Sequence, residues 1–236
     1  MNSKKRAVIL AGGKGSRLKP YTVVLPKPLM PIGDYPILEL VVRQLIKNNF
    51  THITICVNHQ AELIKTFFGD GQKWSINIDY CYENKPLGTM GPLRNIPDLP
   101  DNFLVMNGDI LTDLDFGSFY NDHIENNEIY TISAFERLQK VDFGVLSLSN
   151  DNYLKAFKEK PINSYIVSMG IYMLNKKILE YIPEGYFGFD SLMYELLNLK
   201  IKVNVNIFDG YWLDIGRPDD YMQAIDDFES KKDIFL

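Results

Sequence analysis

The chain has 236 residues and 46% hydrophobic content, which is enough to fill the core of one ordinary α/β domain. Its formal net charge of −5 argues against a nucleic-acid backbone or an anionic membrane surface as the main partner. No apolar run approaches the ~18 residues of a membrane-spanning helix, and the apolar stretch near the N-terminus is too short for a signal peptide. We therefore expect a soluble cytoplasmic protein.

The first half of the chain alternates between apolar, strand-like runs and helical stretches. In the first helical stretch, apolar residues recur at three-and-four spacing and form one broad apolar face. Strands separated by such helices need right-handed crossovers, and they form a parallel sheet that is covered on both faces. The predicted strands are 6–11, 52–58, 76–83 and 102–110, and the predicted helices are 36–49 and 60–70.

From residue 129 onward the sequence becomes rich in strand-like segments. We expect these strands partly to extend the same sheet and partly to form a small antiparallel lobe. The predicted fold class is therefore α/β, with a Rossmann-like, mixed but mostly parallel sheet flanked by helices and a small β-rich lobe. The predicted strands are 129–135, 144–149, 165–174 and 202–208, and one helix is predicted at 189–199.

The cysteines and histidines do not indicate a metal site. Cys56 and Cys81 lie inside strand-like runs, where small buried side chains are more common than a disulfide or a metal pair. His52, His59 and His123 have neither metal-ligand spacing nor an evident partner. We interpret the three histidines as ordinary surface or loop residues.

A glycine-rich turn directly follows the first predicted strand. Gly12, Gly13 and Gly15 would lie at the carboxyl edge of a parallel sheet, which is where open α/β sheets bind ligands. Glycines let backbone N–H groups approach phosphate oxygens closely. A dinucleotide fingerprint would need a glycine in place of Leu18, and a P-loop would need Ser or Thr directly after Lys14, so neither motif fits.

Two cations accompany this turn. Arg17 has a planar, permanently charged fork that can bind two phosphate oxygens at once. Lys27 stands between two prolines, which restrict the backbone on both sides of it and reduce the entropy lost when it holds an anion. A plain surface turn with a solvated lysine is the alternative, but glycines, arginine and a restrained lysine together favour a polyphosphate site.

Asp109 and Asp214 each follow a strand-like run. A parallel sheet would place both strand ends on the same edge as the glycine-rich turn, where two carboxylates can hold a hard cation such as Mg²⁺ against phosphates. Strand-end aspartates also serve as helix caps or turn residues, so this pattern alone leaves both interpretations open.

The stretch LAGGKGSRLKPYTVVLPKPL resembles the signature of the sugar-1-phosphate nucleotidylyltransferases, in which Gly-Gly-x-Gly-Thr-Arg-Leu is followed by Pro-Lys-Pro. Ser16 replaces the threonine of that pattern and keeps its hydroxyl group. The segments NGDILTDLD and GYWLDIGRPDDY resemble the two metal-aspartate segments of the family, and they are most similar to its mannose-1-phosphate guanylyltransferase branch. The resemblance extends from Ala7 to about Tyr221 and favours the metal interpretation of both aspartates.

The resemblance implies a single nucleotidyltransferase domain over residues 1–236, with a nucleotide-binding half at about 1–128 and a sugar-phosphate-binding half at about 129–236. We expect no C-terminal β-helix of the kind that longer relatives carry. The catalytic residues would be Arg17, Lys27 and Asp109. The implied nucleotide-binding residues are Leu10, Ala11, Gly12, Gly13, Gly15, Ser16, Arg17, Glu83, Pro86, Gly88, Thr89, Asn107 and Gly108.

The sugar-phosphate site is also implied by the resemblance. The segment FKEKP matches a family motif that supplies a carboxylate for sugar hydroxyls and a lysine for the sugar's phosphate, although alternating charges of this kind are usually only solvated. Ser168 stands where many relatives have asparagine, a change that bears on which sugar hydroxyls are read. The implied residues are Lys27, Gly144, Glu159, Lys160, Ser168 and Gly170, with Asp109 and Asp214 as metal ligands.

Glu83 matches a family position that contacts the nucleotide base, and its chemistry favours one base. An ionised carboxylate only accepts hydrogen bonds. Guanine offers adjacent imino and amino donors on its pairing edge, whereas uracil and thymine offer one donor flanked by acceptors. The sequence therefore favours GTP, provided that the Glu83 side chain faces the base.

The expected reaction converts an NTP and a sugar 1-phosphate into an NDP-sugar and pyrophosphate, with Mg²⁺ as cofactor. We expect a guanylyltransferase acting on mannose 1-phosphate or on a related hexose or heptose 1-phosphate, in polysaccharide biosynthesis and with a homodimer as the expected assembly. Uridylyl-, cytidylyl- and thymidylyltransferases share the framework and remain alternatives. A non-catalytic nucleotide-sugar sensor or regulatory subunit is a further alternative.

Overall fold

The computed structural model describes residues 5–58 and 60–236, which form thirteen strands and five α-helices. The strands are β1 (Lys5–Leu10), β2 (Pro31–Ile32), β3 (Tyr35–Pro36), β4 (Phe50–Val57), β5 (Asn77–Tyr82), β6 (Asn102–Asn107), β7 (Ile110–Thr112), β8 (Tyr130–Lys140), β9 (Val145–Leu148), β10 (Leu154–Lys158), β11 (Ile162–Asn175), β12 (Asn204–Phe208) and β13 (Trp212–Asp214). The helices are α1 (Ile37–Lys47), α2 (Ala61–Phe68), α3 (Phe116–Glu125), α4 (Phe189–Asn198) and α5 (Pro218–Phe235).

Seven strands form one mixed sheet in the order β12-β8-β11-β6-β1-β4-β5. Strands β5, β4, β1 and β6 pair in parallel, β8 pairs in parallel with β12, and β11 runs antiparallel to both of its neighbours. Six strands therefore share one direction, which confirms the predicted Rossmann-like, mostly parallel sheet. The carboxyl ends of those six strands lie along one edge.

Helices cover both faces of the sheet because side chains of the central strand alternate between two buried clusters. Ala7 and Ile9 pack with apolar residues of α1, α2 and α3 on one face. Val8 packs on the other face with residues of α4. Leu38 and Val42 of α1 are fully buried, and burial of a side chain of this size contributes roughly 1.5–3 kcal/mol.

Two helices, α3 and α5, were not among the predicted elements. α5 buries a narrow set of side chains that includes Tyr221, Ala224 and Phe228, while most of its other residues are charged or exposed, so its apolar periodicity is weak. Pro218 begins the helix, where its fixed φ is favourable. α5 packs against β13 and so supports the strand that ends at Asp214. No helix in the described residues, α5 included, has both the length and the apolar character to cross a membrane.

The later strands also form a projecting β-arm, which we define as residues 136–166. β8 pairs with β12 only as far as Phe135, and β11 pairs with β6 only from Ile171 onward. Beyond these residues, β8 and β11 continue as a pair of their own, which extends to Lys140 of β8 and Ile162 of β11. Because β11 runs antiparallel to β6, the β-arm leaves the sheet at the carboxyl edge. The β9–β10 hairpin completes it as a separate two-stranded sheet, which agrees with the predicted β-rich lobe.

The interpretation of the histidines as surface or loop residues is wrong for His123. This residue lies in α3 and is 1% exposed, with its Nδ1 atom 2.8 Å from the hydroxyl oxygen of Thr131. Burial lowers the pKa of His123 to about 4. His52 also has a partner, because its Nε2 atom lies 2.8 Å from Asp79 Oδ2. His59 lies outside the described residues.

Cys56 and Cys81 are buried and free, as predicted. They stand directly opposite each other on the neighbouring strands β4 and β5. Both therefore belong to the interior of the sheet.

Candidate active site

A cleft of about 800 Å³ opens at the carboxyl edge of the sheet, between the ends of β1, β5 and β6. All thirteen residues that the sequence predicted for nucleotide binding line it, together with Lys27 and Asp109. The structure thus gathers residues that are nearly one hundred positions apart in the sequence. Their individual roles in nucleotide binding stay predictions.

The glycine-rich turn begins as β1 leaves the sheet. The Ala11 N–H donates to the Cys56 carbonyl at 2.9 Å, and the Gly108 N–H donates to the Leu10 carbonyl at 3.0 Å. A Cβ atom on Gly13 would meet no atom within 4 Å, so this glycine borders open cleft. A Cβ atom on Gly12 would lie 2.9 Å from Glu83 Oε1. Gly12 therefore lets the Glu83 carboxylate pack directly against the turn.

Gly15 is held in the left-handed region, with φ of 60°, by a contact with Thr22. The Thr22 hydroxyl donates to the Gly15 carbonyl at 2.7 Å. A Cβ atom on Gly15 would lie 2.9 Å from Thr22 Cγ2 and 3.2 Å from Lys27 Cβ. Only glycine combines this backbone conformation with this close packing. The turn and the Lys27 segment are consequently fixed against each other.

Lys27 and Asp109 form an ion pair at the floor of the cleft, between Lys27 Nζ and Asp109 Oδ2. Lys27 stands between Pro26 and Pro28 and is only 8% exposed. It is the first residue of a short 3-10 turn, Lys27–Leu29. The other carboxylate oxygen, Asp109 Oδ1, is buried and has no hydrogen-bond partner among the described residues. A buried carboxylate oxygen without a donor is costly unless a ligand or cation completes it.

The prediction that a parallel sheet brings Asp214 beside Asp109 is wrong, because Asp214 ends β13, which pairs antiparallel with β7 in a separate two-stranded sheet. This pair, rather than the main sheet, places the two aspartates side by side. Asp214 stands opposite Ile110, and the Ile215 N–H donates to the Asp109 carbonyl at 3.0 Å. Burial of the carboxyl group, and then the charge of Asp109, raise the pKa of Asp214, although Lys27 and Arg17 oppose that rise. The residue as a whole keeps access to solvent. Two carboxylates and two cations therefore converge at this point.

Arg17 approaches the same strand end from the glycine-rich turn. It lies in the 3-10 turn Ser16–Leu18, which directly follows Gly15. A Cβ atom on Gly216 would lie 3.4 Å from Arg17 Nη1, so the guanidinium group packs against that glycine. Arg17 is exposed in the cleft, where its charge is available to an anionic ligand.

Glu83 lies in the cleft, and its two carboxylate oxygens have different neighbours. Its Oε2 atom accepts a 3.0 Å hydrogen bond from the Leu87 N–H, while Oε1 faces Gly12. Burial raises the pKa of Glu83, and the hydrogen bond from Leu87 partly offsets the rise. The prediction for GTP required the Glu83 side chain to face the cleft, and it does so. One of its oxygens is already engaged in holding the following loop.

A wall of the cleft comes from a loop that the sequence analysis missed. The Met90 and Gly91 N–H groups donate to the Phe187 carbonyl, at 3.0 and 3.1 Å, and the Phe189 N–H donates to the Thr89 hydroxyl at 2.7 Å. These bonds join the segment around Thr89, which was predicted to bind the nucleotide base, to a segment about one hundred residues later. The additional cleft residues are Lys14, Pro28, Asn58, Tyr186, Gly188, Phe189, Asp190 and Gly216.

Asn58 could have been found from the sequence, because it is a polar residue directly after a buried strand of the parallel part of the sheet. The loop at 186–190 has no comparable signal. Its hydrogen bonds to the segment around Thr89 hold it at the cleft.

Apart from Lys27, which lines the cleft, the predicted sugar-phosphate residues fall into two groups. Ser168 and Gly170 lie at the base of the β-arm, where a Cβ atom on Gly170 would lie 2.6 Å from Asn107 Nδ2 in the cleft. The Ser168 hydroxyl donates to the Tyr172 hydroxyl at 3.2 Å, and the Tyr172 ring stacks on Phe189 with centroids 5.0 Å apart. Ser168 and Gly170 are therefore adjacent to the cleft wall.

Gly144, Glu159 and Lys160 form the second group. They lie on the β-arm, are exposed, and do not line the cleft. A Cβ atom on Gly144 would lie 3.2 Å from Glu159 Oε2, so the structure brings these two together with each other but not with Lys27. Their assignment to the sugar phosphate stays a prediction.

The chain is similar to several known proteins. A family model described as nucleotidyl transferase matches residues 6–231. A UTP–glucose-1-phosphate uridylyltransferase of Synechocystis is 34% identical over 241 residues, covering 93% of this chain and 62% of the relative. A D-glycero-α-D-manno-heptose 1-phosphate guanylyltransferase of Campylobacter jejuni is 32% identical over 220 residues, covering 92% of this chain and 96% of the relative.

A solved structure, that of HddC from Yersinia pseudotuberculosis complexed with GMP-PN, is similar with a TM-score of 0.71 and 29% identity. It covers 95% of this chain and 99% of that protein. The chain thus spans less than two thirds of the Synechocystis relative, but nearly the full length of the Campylobacter and Yersinia proteins. The match to the family model over nearly the whole chain confirms the family predicted from the sequence: the chain belongs to the nucleotidyl transferase family.

Proposed function

We propose that the protein transfers a nucleotidyl group from an NTP to a sugar 1-phosphate, giving an NDP-sugar and pyrophosphate. The observation that carries this proposal is the convergence of the glycine-rich turn, the buried Lys27–Asp109 pair and the adjacent Asp214 at one cleft. A triphosphate and a second phosphate repel each other, and this arrangement offers backbone donors, cations and metal-binding oxygens for both. We also propose that the reaction takes place in the cytoplasm, where NTPs are abundant.

The chemistry asks for positioning and charge neutralisation more than for covalent work by the protein. An oxygen of the sugar phosphate attacks the α-phosphorus of the NTP in line, the bond to the β-phosphate oxygen breaks, and pyrophosphate leaves on the far side. No general base is required, because a phosphate monoester with a second pKa of about 6 is already ionised near neutral pH. Arg17 neutralises the leaving pyrophosphate, and the restrained Lys27 draws the two phosphates together.

The residues present fit a magnesium ion. Asp109 Oδ1 is buried and has no hydrogen-bond partner in the part of the chain that the structure describes. Burial, and then the charge of Asp109, raise the pKa of Asp214, and a bound cation would relieve both effects. Mg²⁺ is commonly held by one or two carboxylates together with substrate phosphates, so a larger protein cluster is unnecessary. Asp109 and Asp214 would hold the ion, which when bound supplies positive charge against the phosphates.

For the base, we propose guanine. The Glu83 carboxylate faces the cleft, and Oε1 is available to accept from the imino and amino donors of a guanine edge. The Campylobacter relative is named a guanylyltransferase, and the Yersinia structure was determined with GMP-PN. A uridylyltransferase of the same framework remains the second candidate, because the Synechocystis relative carries that name.

For the second substrate, we propose mannose 1-phosphate or a related hexose or heptose 1-phosphate. Ser168 and Gly170 would form the wall beside its ring. Glu159 and Lys160 would then have to approach the cleft from the β-arm, with Gly144 beside them.

A matrix of four NTPs against a panel of sugar 1-phosphates, with Mg²⁺ and a pyrophosphate-release readout, tests the proposal. We expect the highest turnover with GTP and mannose 1-phosphate or a heptose 1-phosphate. The presence of Arg17, Lys27, Asp109 and Asp214 argues against a non-catalytic sensor of nucleotide sugars. If nucleotide sugars bind while no substrate pair gives turnover, the sensor is correct and the enzyme proposal is wrong.

A further inference from the structure

Cys56 and Cys81 lie next to each other in the central sheet, and the proposed reaction uses neither of them. Cys56 stands opposite Cys81 where β4 and β5 pair in parallel, and both side chains belong to the same buried cluster on one face of the sheet. The chain has two cysteines in all, and both are free. Paired residues that share a face have neighbouring side chains. The structure therefore brings two thiols side by side.

The spacing of this pair suits a disulfide without a change of fold. The Cα atoms of a disulfide lie about 4.4–6.8 Å apart, and neighbouring strands lie about 4.7–4.9 Å apart. The Cβ atoms of a disulfide lie about 3.8 Å apart, so bond formation would draw the two strands together by roughly 1 Å at this point. A disulfide that strains its surroundings is easily reduced again, which is typical of regulatory disulfides rather than structural ones.

The two thiols differ in access and in acidity. Cys81 is 7% exposed, whereas Cys56 is fully buried, so a small oxidant reaches Cys81 first. A hydrogen bond from the Cys56 thiol lowers the pKa of Cys81, although burial opposes this effect, whereas the same bond and burial raise the pKa of Cys56. Because the thiolate is the nucleophile, Cys81 is the thiol that reacts with an oxidant, and Cys56 is placed to resolve the product.

The pair lies one position from the carboxyl edge of the sheet, where β4 and β5 lead into the cleft. The last paired residues of the two strands are Val57 and Tyr82. The Cys56 carbonyl accepts from the Ala11 N–H at 2.9 Å, and the Val57 carbonyl accepts from the Glu83 N–H at 2.9 Å. A shift of β4 against β5 is therefore transmitted to the glycine-rich turn and to Glu83.

Cys81 also contacts the segment that leads into the cleft wall. Its thiol donates to the Pro92 carbonyl, with the Sγ atom 3.8 Å from the oxygen. Pro92 directly follows Gly91, whose N–H donates to the Phe187 carbonyl. A disulfide removes the hydrogen of the Cys81 thiol, and this contact is lost with it. Oxidation would thus act on the cleft wall as well as on Glu83.

We propose that a peroxide oxidises Cys56 and Cys81 to an intramolecular disulfide, and that this bond is a reversible redox switch that displaces Glu83 and the glycine-rich turn. The Cys81 thiolate attacks one oxygen of hydrogen peroxide, the O–O bond breaks, and a sulfenic acid and hydroxide form. The Cys56 sulfur then attacks the sulfenic sulfur, the S–O bond breaks, and water leaves. In total, two thiols lose two protons and two electrons, and hydrogen peroxide becomes two water molecules.

A dithiol such as dithiothreitol reverses the bond by thiol–disulfide exchange and is itself oxidised to a disulfide. A transient bond agrees with the proposed cytoplasmic reaction, since disulfides in the cytosol are usually transient and often redox-sensing. The effect on nucleotide use rests on the proposed function. The disulfide and the displacement that it causes do not.

Thiol counting on the folded wild-type protein tests the bond. The protein is treated with hydrogen peroxide, denatured, labelled with a maleimide and weighed by mass spectrometry. We expect two labels before treatment, none after it, and two again after dithiothreitol, with a peptide map that links Cys56 to Cys81. Two labels after peroxide, a link between two chains, or a sulfinic acid in place of the disulfide would overturn the proposal.

Two single variants test the order of the steps. In Cys81→Ala, the remaining Cys56 is fully buried and should keep its label after peroxide. In Cys56→Ala, Cys81 should lose its label, because no second thiol is present to resolve the sulfenic acid. Equal reactivity of the two variants would contradict the assignment of Cys81 as the attacking thiol. The wild-type thiol count decides the bond even if a variant does not fold.

Hydrogen–deuterium exchange of the reduced and the oxidised wild type tests the switch without substrate. We expect altered exchange in peptides that contain Ala11 or Glu83, and unchanged exchange in α5, which packs against α1, β2, β7 and β13. Unchanged exchange around Ala11 and Glu83 in the disulfide form would overturn the switch.

Calorimetry with GTP then measures the effect on the cleft. Oxidation should weaken GTP binding by about 10-fold or more, as expected for the loss of one hydrogen bond to a charged group such as Glu83. Peroxide should leave GTP binding by Cys81→Ala unchanged. Equal GTP affinity of the reduced and the oxidised wild type would contradict the switch.

These measurements separate the switch from the proposed function. A disulfide that alters exchange in a protein that binds no NTP and shows no turnover would support the switch and overturn the proposed function. An active enzyme whose thiols resist peroxide would exclude the switch and leave the function in place.

Discussion

The Thr22 hydroxyl donates a 2.7 Å hydrogen bond to the Gly15 carbonyl and so joins the glycine-rich turn to the segment that carries Lys27. Thr22 is 4% exposed and touches Gly15 with its methyl group as well. The position of Lys27 relative to the turn therefore depends on a residue that need not touch a substrate.

Thr22→Val should keep the shape of this contact and lose the hydrogen bond. The Gly15 carbonyl still accepts from the Leu18 N–H at 2.9 Å, so the variant loses one of its two hydrogen bonds. Loss of one such bond costs about 0.5–1.5 kcal/mol, so we expect a loss of roughly 2- to 13-fold in turnover if the turn shifts. Steady-state pyrophosphate release measures it. Thr22→Ser keeps the hydroxyl and should retain most activity. Equal losses in the two variants would mean that packing, rather than the hydrogen bond, sets the geometry.

Lys27→Met should reduce turnover by more than about 100-fold, because it removes the cation between the two phosphates and leaves Asp109 without its ion-pair partner. Nucleotide binding, measured by calorimetry with GTP, should weaken much less. Lys14→Met is the control, since Lys14 also lines the cleft but is exposed. A parallel loss of binding and turnover in Lys27→Met would assign Lys27 to ground-state binding alone.

Asp109→Asn should abolish measurable turnover at ordinary Mg²⁺ concentrations. The substitution removes the charge of the carboxylate whose Oδ1 atom is buried and has no partner among residues 5–58 and 60–236. Turnover should be measured over a Mg²⁺ titration, with Asp101→Asn, an exposed aspartate, as the control. A near-normal rate for Asp109→Asn would refute its role as a metal ligand. Treatment of the wild type with EDTA should likewise stop turnover, and added Mg²⁺ should restore it.

Glu83→Gln should shift the preference among bases. The amide adds donors where the carboxylate only accepts, so discrimination in favour of GTP over UTP should fall by about 10-fold or more, a change of about 1.4 kcal/mol or more. The ratio of kcat/KM values for the two nucleotides measures it. Because Oε2 also holds the Leu87 N–H, thermal unfolding of the variant must be compared with the wild type. An unchanged ratio in a stable variant removes the argument for guanine.

The buried His123 should make the protein less stable in mild acid. Its pKa in the folded state is about 4, below the ordinary value of 6.5, so between these values the unfolded chain binds a proton that the folded protein does not. The free energy of unfolding should therefore fall as the pH drops from 6.5 towards 4, by at most about 3 kcal/mol from this group. Denaturant unfolding at several pH values should show a flatter pH dependence for His123→Gln. An identical pH dependence would contradict this assignment.

The sequence predicted the parallel half of the sheet well because its strands are short, nearly continuous apolar runs and its helices have wide apolar faces. It did not predict α5, since only a narrow set of positions such as Ala224 and Phe228 is buried among charged residues. It also misassigned His123, because the burial of that side chain depends on α3, which had no strong periodicity of its own.

The sequence by itself determined the family and the strand-end residues of the cleft. Glycines after β1, a lysine between prolines and an aspartate after β6 are local patterns, and a parallel sheet brings the ends of its strands to one edge. Asp214 reaches that edge through the antiparallel pair of β13 and β7 instead. Only the tertiary structure decided that Thr22 fixes Gly15, that the loop at 186–190 forms a wall, and that Glu159 and Lys160 lie on an exposed β-arm apart from Lys27. These relationships depend on contacts between segments distant in the chain, which no local pattern records.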